Sequence, residues 1–231
     1  MASLSPVVPG LYRLELGVVN AYLLEADGGL VLIDTGYPGS EDDILRAVDE
    51  LGHTPDAVRA VVVTHHHTDH AGALAAVLDA TGAAAWMHPL DAAAVREGVG
   101  MRAYRPASGV LNWVLERAVI RRTPPRFGPA PVAHEVRDGD EAPGGLRVLH
   151  TPGHSAGHIA LLWEAGGVLV AGDACTNLPT LTLSIVYEDL DEGRRSLRRL
   201  ADQSFDVAVF GHGGPIVGAA ADRFRRAFGD D

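Results

Sequence analysis

The segment Thr64-His65-His66-His67-Thr68-Asp69-His70 follows the apolar run Val58–Val63 without a break. The run is short and rich in β-branched residues, the pattern of a buried strand. A helix is predicted to start just beyond, over Ala71–Ala80. His65 and His67 lie two apart, so in an extended loop both imidazoles project the same way. Asp69 and His70 follow where the chain turns into the helix. Neutral imidazole and carboxylate together are the ligand set of Zn²⁺ and similar borderline metals. From composition alone, His-x-His-x-Asp-His arises by chance in roughly one such chain in 500. A solvated polar turn does not account for histidines placed at the end of a buried strand.

Three further polar clusters each follow an apolar run. Thr151-Pro152-Gly153-His154-Ser155-Ala156-Gly157-His158 comes after Leu146–Leu149, Gly172-Asp173 after Val168–Ala171, and Gly211-His212-Gly213 after Val207–Phe210. Side chains at strand ends can converge on one rim of a layered sheet, where rigid elements place them accurately. The adjoining glycines let the backbone turn sharply or approach closely. Taken with the first cluster, His154, Asp173 and His212 complete two coordination spheres.

The remaining pattern is mixed. Strands are predicted at Val18–Leu24 and Gly29–Ile33, joined by a turn at Asp27-Gly28, and at Ala83–Met87, Val132–Val136 and Ile159–Trp163. Helices are predicted over Glu41–Leu51 with Ser40 as N-cap, Asp91–Glu97, Val110–Arg122, Leu190–Leu200 and Ile216–Phe228. Hairpins beside parallel crossovers imply a layered α/β protein with mixed sheets. At 231 residues the chain fits one domain, with residues 88–131 as a helical insertion or lid. A net charge of −11 disfavours non-specific binding to nucleic acid or a membrane surface. The lone Cys175 excludes an intrachain disulfide framework. With no apolar run of spanning length and no secretory pattern at the N-terminus, the expected setting is the cytoplasm.

On HHHTDH at 65–70, TPGHSAGH at 151–158, GD at 172–173, GHG at 211–213 and DTG at 34–36, the sequence resembles the metallo-β-lactamase superfamily of hydrolases. The resemblance runs from residue 34 to 213 and is closest to the glyoxalase II and lactonase branches. It implies a four-layer αβ/βα sandwich of two mixed sheets with helices outside, and two divalent metal ions at one edge. By it, His65, His67 and His154 bind the first ion, Asp69, His70 and His212 the second, and Asp173 bridges them. Asp34 then supports the ligand loop from behind, as carboxylates commonly do for ligating histidines. Zinc suits these donors best, with iron and manganese as alternatives.

Two metals sharing a water lower its pKa towards ~7 and stabilise the charge that develops on the substrate. Asp69 is placed to orient that nucleophile and pass its proton on. The expected reaction is hydrolysis of a carboxylic ester-type bond (thioester, lactone or ester) in a small molecule. Glyoxalase II enzymes add a C-terminal helical domain for glutathione, which is not seen after Ile216–Phe228, so a typical glutathione thioester is not the expected substrate. The alternatives are a persulfide dioxygenase-like iron oxygenase, a β-lactam or phosphodiester hydrolase, and a non-catalytic metal-binding scaffold.

Other residues carry milder expectations. His66 points away from its neighbours and is structural; His158 packs behind the site; His150 holds local structure; His53, His88 and His134 lie on the surface or in loops. Cys175 either lines the pocket or is a small buried thiol. Arg117–Arg126 either attracts an anionic substrate or forms a solvated face. Met101, Tyr104, Val110, Leu111, Trp113, Val114 and Leu115 either cap an acyl pocket or pack the insertion onto the core. The insertion could also bury surface in a homodimer.

Overall fold

The computed structural model describes residues 2–26, 28–107, 109–118 and 120–229. Asp27, at the first predicted turn, lies outside the described residues, and so do the side chains of Val110, Leu111 and Leu115.

The first half of the chain builds a seven-stranded sheet. Strands β1 (Ser3–Val8), β2 (Leu11–Leu16), β3 (Val19–Ala26) and β4 (Gly29–Ile33) form an antiparallel meander. Helix α1 (Glu41–Glu50) carries the chain to β5 (Val58–Val62), parallel to β4. Helices α2 (Thr68–Ala71) and α3 (Leu74–Thr81) lead to β6 (Ala84–Met87), parallel again. After α4 (Pro89–Arg96), β7 (Arg105–Pro106) and α5 (Val110–Ala118), β8 (His134–Glu135) closes the sheet beside β6.

The second half builds a six-stranded sheet in the order β17-β16-β12-β11-β10-β9. Its first strands are β9 (Glu141–Ala142), β10 (Leu146–His150), β11 (Ile159–Trp163) and β12 (Val168–Val170). A hairpin of β13 (Cys175–Asn177) and β14 (Leu181–Leu183) follows, then β15 (Val186–Tyr187), which pairs back with β7. Helix α6 (Leu190–Ala201) precedes β16 (Val207–Val209), and β17 (Ile216–Val217) precedes α7 (Ala220–Phe228).

Alternation along the strands sets the layers. In β4, Val31 and Ile33 face the second sheet, while Leu30 and Leu32 meet Ile44 and Val48 of α1 and Leu74 and Val77 of α3. In β11, Ile159 and Leu161 face the first sheet, while Ala160 and Leu162 meet Leu197 and Leu200 of α6 and Phe224 of α7. The result is the expected four-layer sandwich, with one apolar core between the sheets and one beneath each helical layer. No helix among the described residues is long and apolar enough to cross a membrane.

Four predicted elements differ. Of the helix expected over Val110–Arg122, α5 covers Val110–Ala118, and Ile120–Arg122 is a separate 3-10 turn. The helix expected over Ala71–Ala80 is broken near Gly72, whose N–H donates to the Gly36 carbonyl at 3.0 Å instead of continuing the helical ladder. A Cβ at Gly72 would strike Pro38 and the Thr68 carbonyl, so glycine permits this close approach. The helix expected from Ile216 starts only at Ala220: Ile216 and Val217 pair with β16, and Gly218 (φ +82°) turns the chain. The strand expected over Val132–Val136 shrinks to His134–Glu135. Ser40 occupies the start of α1 without making a side-chain cap bond.

Strands β4, β5, β10, β12 and β16 all end at one rim, at the seam between the two sheets. There the Ile159 N–H from the second sheet donates to the Thr64 carbonyl from the first, at 2.9 Å. Crevices at the carboxyl ends of strands are the usual place for ligands in open α/β sheets.

Candidate metal centre

The loops beyond these strands bring all seven predicted donors together. His65, His67 and His154 have ligand atoms within 4.8 Å of one another; so have His65, His70 and Asp173, and so have Asp69, His70 and His212. Nε2 of His154 lies 3.0 Å from Nδ1 of His67. The Asp173 carboxylate stands between the groups, with oxygens 3.6 Å from His154, 3.6 Å from His70 and 3.2 Å from His212. Asp69 lies 3.3 Å from His212 and 3.8 Å from His70.

The ring nitrogens that face away from the centre are bonded, which orients the others inward. Nδ1 of His154 donates to the Val186 carbonyl at 2.9 Å, Nδ1 of His212 to the Val18 carbonyl at 2.7 Å, and Nδ1 of His70 to Asp34 at 2.9 Å. The Thr64 hydroxyl donates to Asp34 at 2.8 Å and receives Nδ1–H of His65 at 3.0 Å. Asp34 also accepts the Thr64 N–H at 2.7 Å and holds a left-handed backbone (φ +61°), with its carboxylate on His70 and on the Thr64 hydroxyl that backs His65.

Among the described residues four buried side-chain atoms have no hydrogen-bond partner: Nε2 of His66, outside the donor set, and three that belong to it, Nε2 of His65, Nε2 of His70 and Oδ1 of Asp173. Unpaired buried polar atoms are costly. The convergence of the last three within a His/Asp donor set fits a divalent cation, which would satisfy them together.

The electrostatics divide the centre in two. Burial pushes the pKa of His65, His67 and His154 down, so these imidazoles are neutral and ready to donate lone pairs. Burial lowers His70 too, but Asp173, Asp69 and Asp34 outweigh it and raise its pKa to about 9. His212 is raised by Asp173 and Asp69 against the same burial. Against their own burial, Asp69 and Asp173 are held well below the usual carboxylate range, Asp69 chiefly by His70 and Asp173 chiefly by His212. This half of the centre favours positive charge.

The remaining histidines are turned elsewhere. Nδ1 of His66 lies 3.2 Å from the buried Asp91. His158 places Nδ1 2.8 Å from the Thr151 hydroxyl, and its Nε2 accepts the Asp173 N–H at 3.0 Å, so both ring nitrogens are used. His150 bonds the Ala156 carbonyl at 3.0 Å, and His134 stacks on Trp86. His88 departs from the expectation of a surface residue: it is 5% exposed, stacks on His150 at 4.0 Å and caps α4. Its place at the junction of β6 and α4, sealed by the His150 ring, buries it. Cys175 lies in the core under α6 and α7, where burial pushes its thiol up. In the arginine stretch, Arg117 covers the Trp113 ring, Arg121 pairs with Glu116 at 2.9 Å and Arg126 bonds the Glu97 carbonyl.

Asp91, Arg102 and Glu188, which no motif in the sequence singles out, tie the ligand loops together from behind. The available signal is an acidic residue on the core-facing stripe of a helix, Asp91 one turn before Val95. Asn20 and Tyr22, likewise outside any motif, bond the backbone on either side of His212.

Comparison with known proteins places these features. The profile of the metallo-beta-lactamase superfamily matches residues 14–212. A Bacillus subtilis (strain 168) protein named as a probable metallo-hydrolase is 26% identical, over 90% of this chain and 86% of its own. An N-acyl homoserine lactonase from a Bacillus species is 25% identical, over 84% of this chain and 80% of its own. Among solved structures, a metallo-beta-lactamase family protein from Thermus thermophilus superposes with a TM-score of 0.73 at 30% identity, covering 96% of this chain and 79% of that one.

Proposed function

This chain belongs to the metallo-β-lactamase superfamily and is a metallo-hydrolase, and we propose that it cleaves a carboxylic ester-type bond in a small molecule with two zinc ions. The observation that carries the reading is the set of buried, unpartnered atoms on His65, His70 and Asp173, which point into one space. In this reading His65, His67 and His154 hold one ion, Asp69, His70 and His212 hold the other, and Asp173 lies between both. When bound, such a pair supplies a water of lowered pKa, near ~7, and polarises the substrate carbonyl. Asp69, with its side chain 15% exposed, is the carboxylate that meets solvent: it orients the attacking water and accepts its proton.

The ester-type assignment is supported by the lactonase relatives, whose name specifies a lactone substrate, and by a net charge that disfavours a polyanion. The chain acts as one catalytic unit, with residues 88–131 as its substrate cap. That segment is anchored to the helix of Asp69: the Thr68 hydroxyl donates to the Pro124 carbonyl at 2.6 Å, and the Thr68 N–H to the Gly100 carbonyl at 3.3 Å. Trp113 and Val114, on its helix α5, are exposed.

The test is metal quantification on the purified protein, paired with thioester, lactone, ester, β-lactam and phosphodiester substrates. Two zinc ions per chain, with lactone or ester turnover that a chelator abolishes and zinc restores, is the expected result. One iron per chain with oxygen uptake would replace the hydrolase by an oxygenase, and metal uptake without turnover of any substrate would leave a binding scaffold.

A further inference from the structure

Asp91 is fully buried at the start of α4, outside every group of candidate ligands. Its carboxylate is saturated by partners from three segments. One oxygen accepts the His66 N–H at 3.2 Å and the Ser155 hydroxyl, with Nδ1 of His66 also at 3.2 Å. The other accepts the Gly157 N–H at 3.0 Å and pairs with the Arg102 guanidinium. Arg102 in turn donates to Glu188 at 2.7 Å, and Glu188 accepts the Ala156 N–H at 2.8 Å. The fit around Gly157 is close: a Cβ there would collide with the backbone and carboxylate of Asp91.

The placement of these partners is selective. His66 is the residue between His65 and His67, and Ser155 is the residue after His154. Asp91 therefore fastens a residue adjoining each member of one trio of donors, through the His66 N–H and the Ser155 hydroxyl. It makes no contact with the neighbours of Asp69, His70 or His212, which are held instead by Asp34, by the Val18 carbonyl and by Asn20 and Tyr22. A buried carboxylate left without partners is strongly disfavoured. Here His66 and Arg102 overcome its burial and hold it ionised, so the clamp is charged and geometrically exacting.

We infer that Asp91 is a positioning residue that sets the geometry of the His65/His67/His154 cluster alone, by clamping the loop of His66 to the loop of Ser155 and Gly157. The inference rests on the two-ion reading above. It gives the first cluster an outer support of its own, beside the Asp34 carboxylate that holds His70 directly and His65 through the Thr64 hydroxyl, so that the affinity of the first ion can change far more than that of the second.

The experiment compares the wild type with Asp91→Asn and with the milder Ser155→Ala, which removes one bond and leaves the carboxylate in place. Each protein is equilibrated in zinc buffers of graded free concentration. Total zinc is measured by elemental analysis, and the occupancy of each cluster by anomalous diffraction at the zinc edge; circular dichroism checks folding. Asp91→Asn is expected to weaken the ion among His65, His67 and His154 by about 10–100-fold while the ion among Asp69, His70 and His212 stays within about threefold. Ser155→Ala is expected to act on the same ion to a smaller degree. Equal weakening at both clusters, or no weakening in the folded variants, overturns the inference. Should Asp91→Asn fail to fold, Ser155→Ala decides by the same criterion. Wild-type protein that takes up no zinc at these clusters overturns the proposed function instead, before either variant is compared.

Discussion

The phenol of Tyr22 donates to the carbonyl of Phe210 at 2.7 Å and accepts the N–H of the same residue at 3.1 Å. One side chain of the first sheet thus caps both backbone groups at the end of β16, two residues before His212. Asn20 reinforces it with bonds to the carbonyls of Phe210 and Gly213, both at 2.9 Å. The last donor of the centre is held in place from the opposite half of the molecule.

Tyr22→Phe removes both phenol bonds and leaves a buried N–H without its partner. The expected loss is about 1–3 kcal/mol of unfolding free energy. It should be accompanied by weaker zinc binding at the His212 cluster, because the backbone before His212 loses a constraint. Denaturant unfolding of the chelator-treated protein and zinc competition measure the two effects separately.

Asp173→Ala and His66→Ala should behave oppositely although both residues are buried. Asp173 faces three imidazoles, and its removal is expected to abolish zinc retention and hydrolysis together, beyond about 100-fold in affinity. His66→Ala keeps the N–H that Asp91 accepts but removes the imidazole 3.2 Å from the same oxygen, so zinc content and turnover should persist with at most the small weakening expected of Ser155→Ala, while stability falls by the cost of a small cavity. An essential His66 with a dispensable Asp173 would contradict the ligand set proposed above.

Gly211 has no room for a methyl group. A Cβ there would meet the carboxylate of Asp173 and the ring of His70. Gly211→Ala is expected to displace one or both, lowering zinc stoichiometry in a protein that still folds. Elemental analysis beside a circular dichroism spectrum checks it.

The charge pattern of the centre fixes the direction of its pH response. In zinc-free protein the His70 pKa is raised from 6.5 to about 9, and that of His212 is raised as well. A group with a raised folded-state pKa contributes stability that is complete below its unfolded value and is lost as pH rises through its folded value. The thermal midpoint of the zinc-free protein should therefore decline between pH 6.5 and about 9. At neutral pH zinc must displace these protons, so uptake should release acid into a weakly buffered solution, and affinity should fall as pH is lowered. A midpoint that rises across this range would contradict the assignment of these two groups.

Much of the fold was legible because burial writes itself into apolar runs. Gly29–Ile33 and Ile159–Trp163 occur at the predicted bounds, both nearly continuous apolar segments packed on two faces. The opening strands β1 and β2 are hard to read: only Leu11 and Leu14 of β2 are buried, and they pack on opposite faces of the sheet, so neither face shows a run of buried positions. Ile216–Val217 was absorbed into the following helix because a two-residue strand carries no period. The donors were legible as histidines and aspartates beside glycines at strand ends. Asp91 was not, because its partners lie at 66, 102, 155 and 157, and the pairing exists only once two loops and a helix have met.

The centre sits on the seam between two sheets, and the chain contributes to it in two instalments. His65, His67, Asp69 and His70 precede the seam, whereas His154, Asp173 and His212 come from beyond it. None of the three donor groups is complete without a residue from beyond the seam, and the last, His212, comes from the loop after β16. An ion held as proposed would therefore require both sheets to be in place, and its retention would report that the two halves have docked.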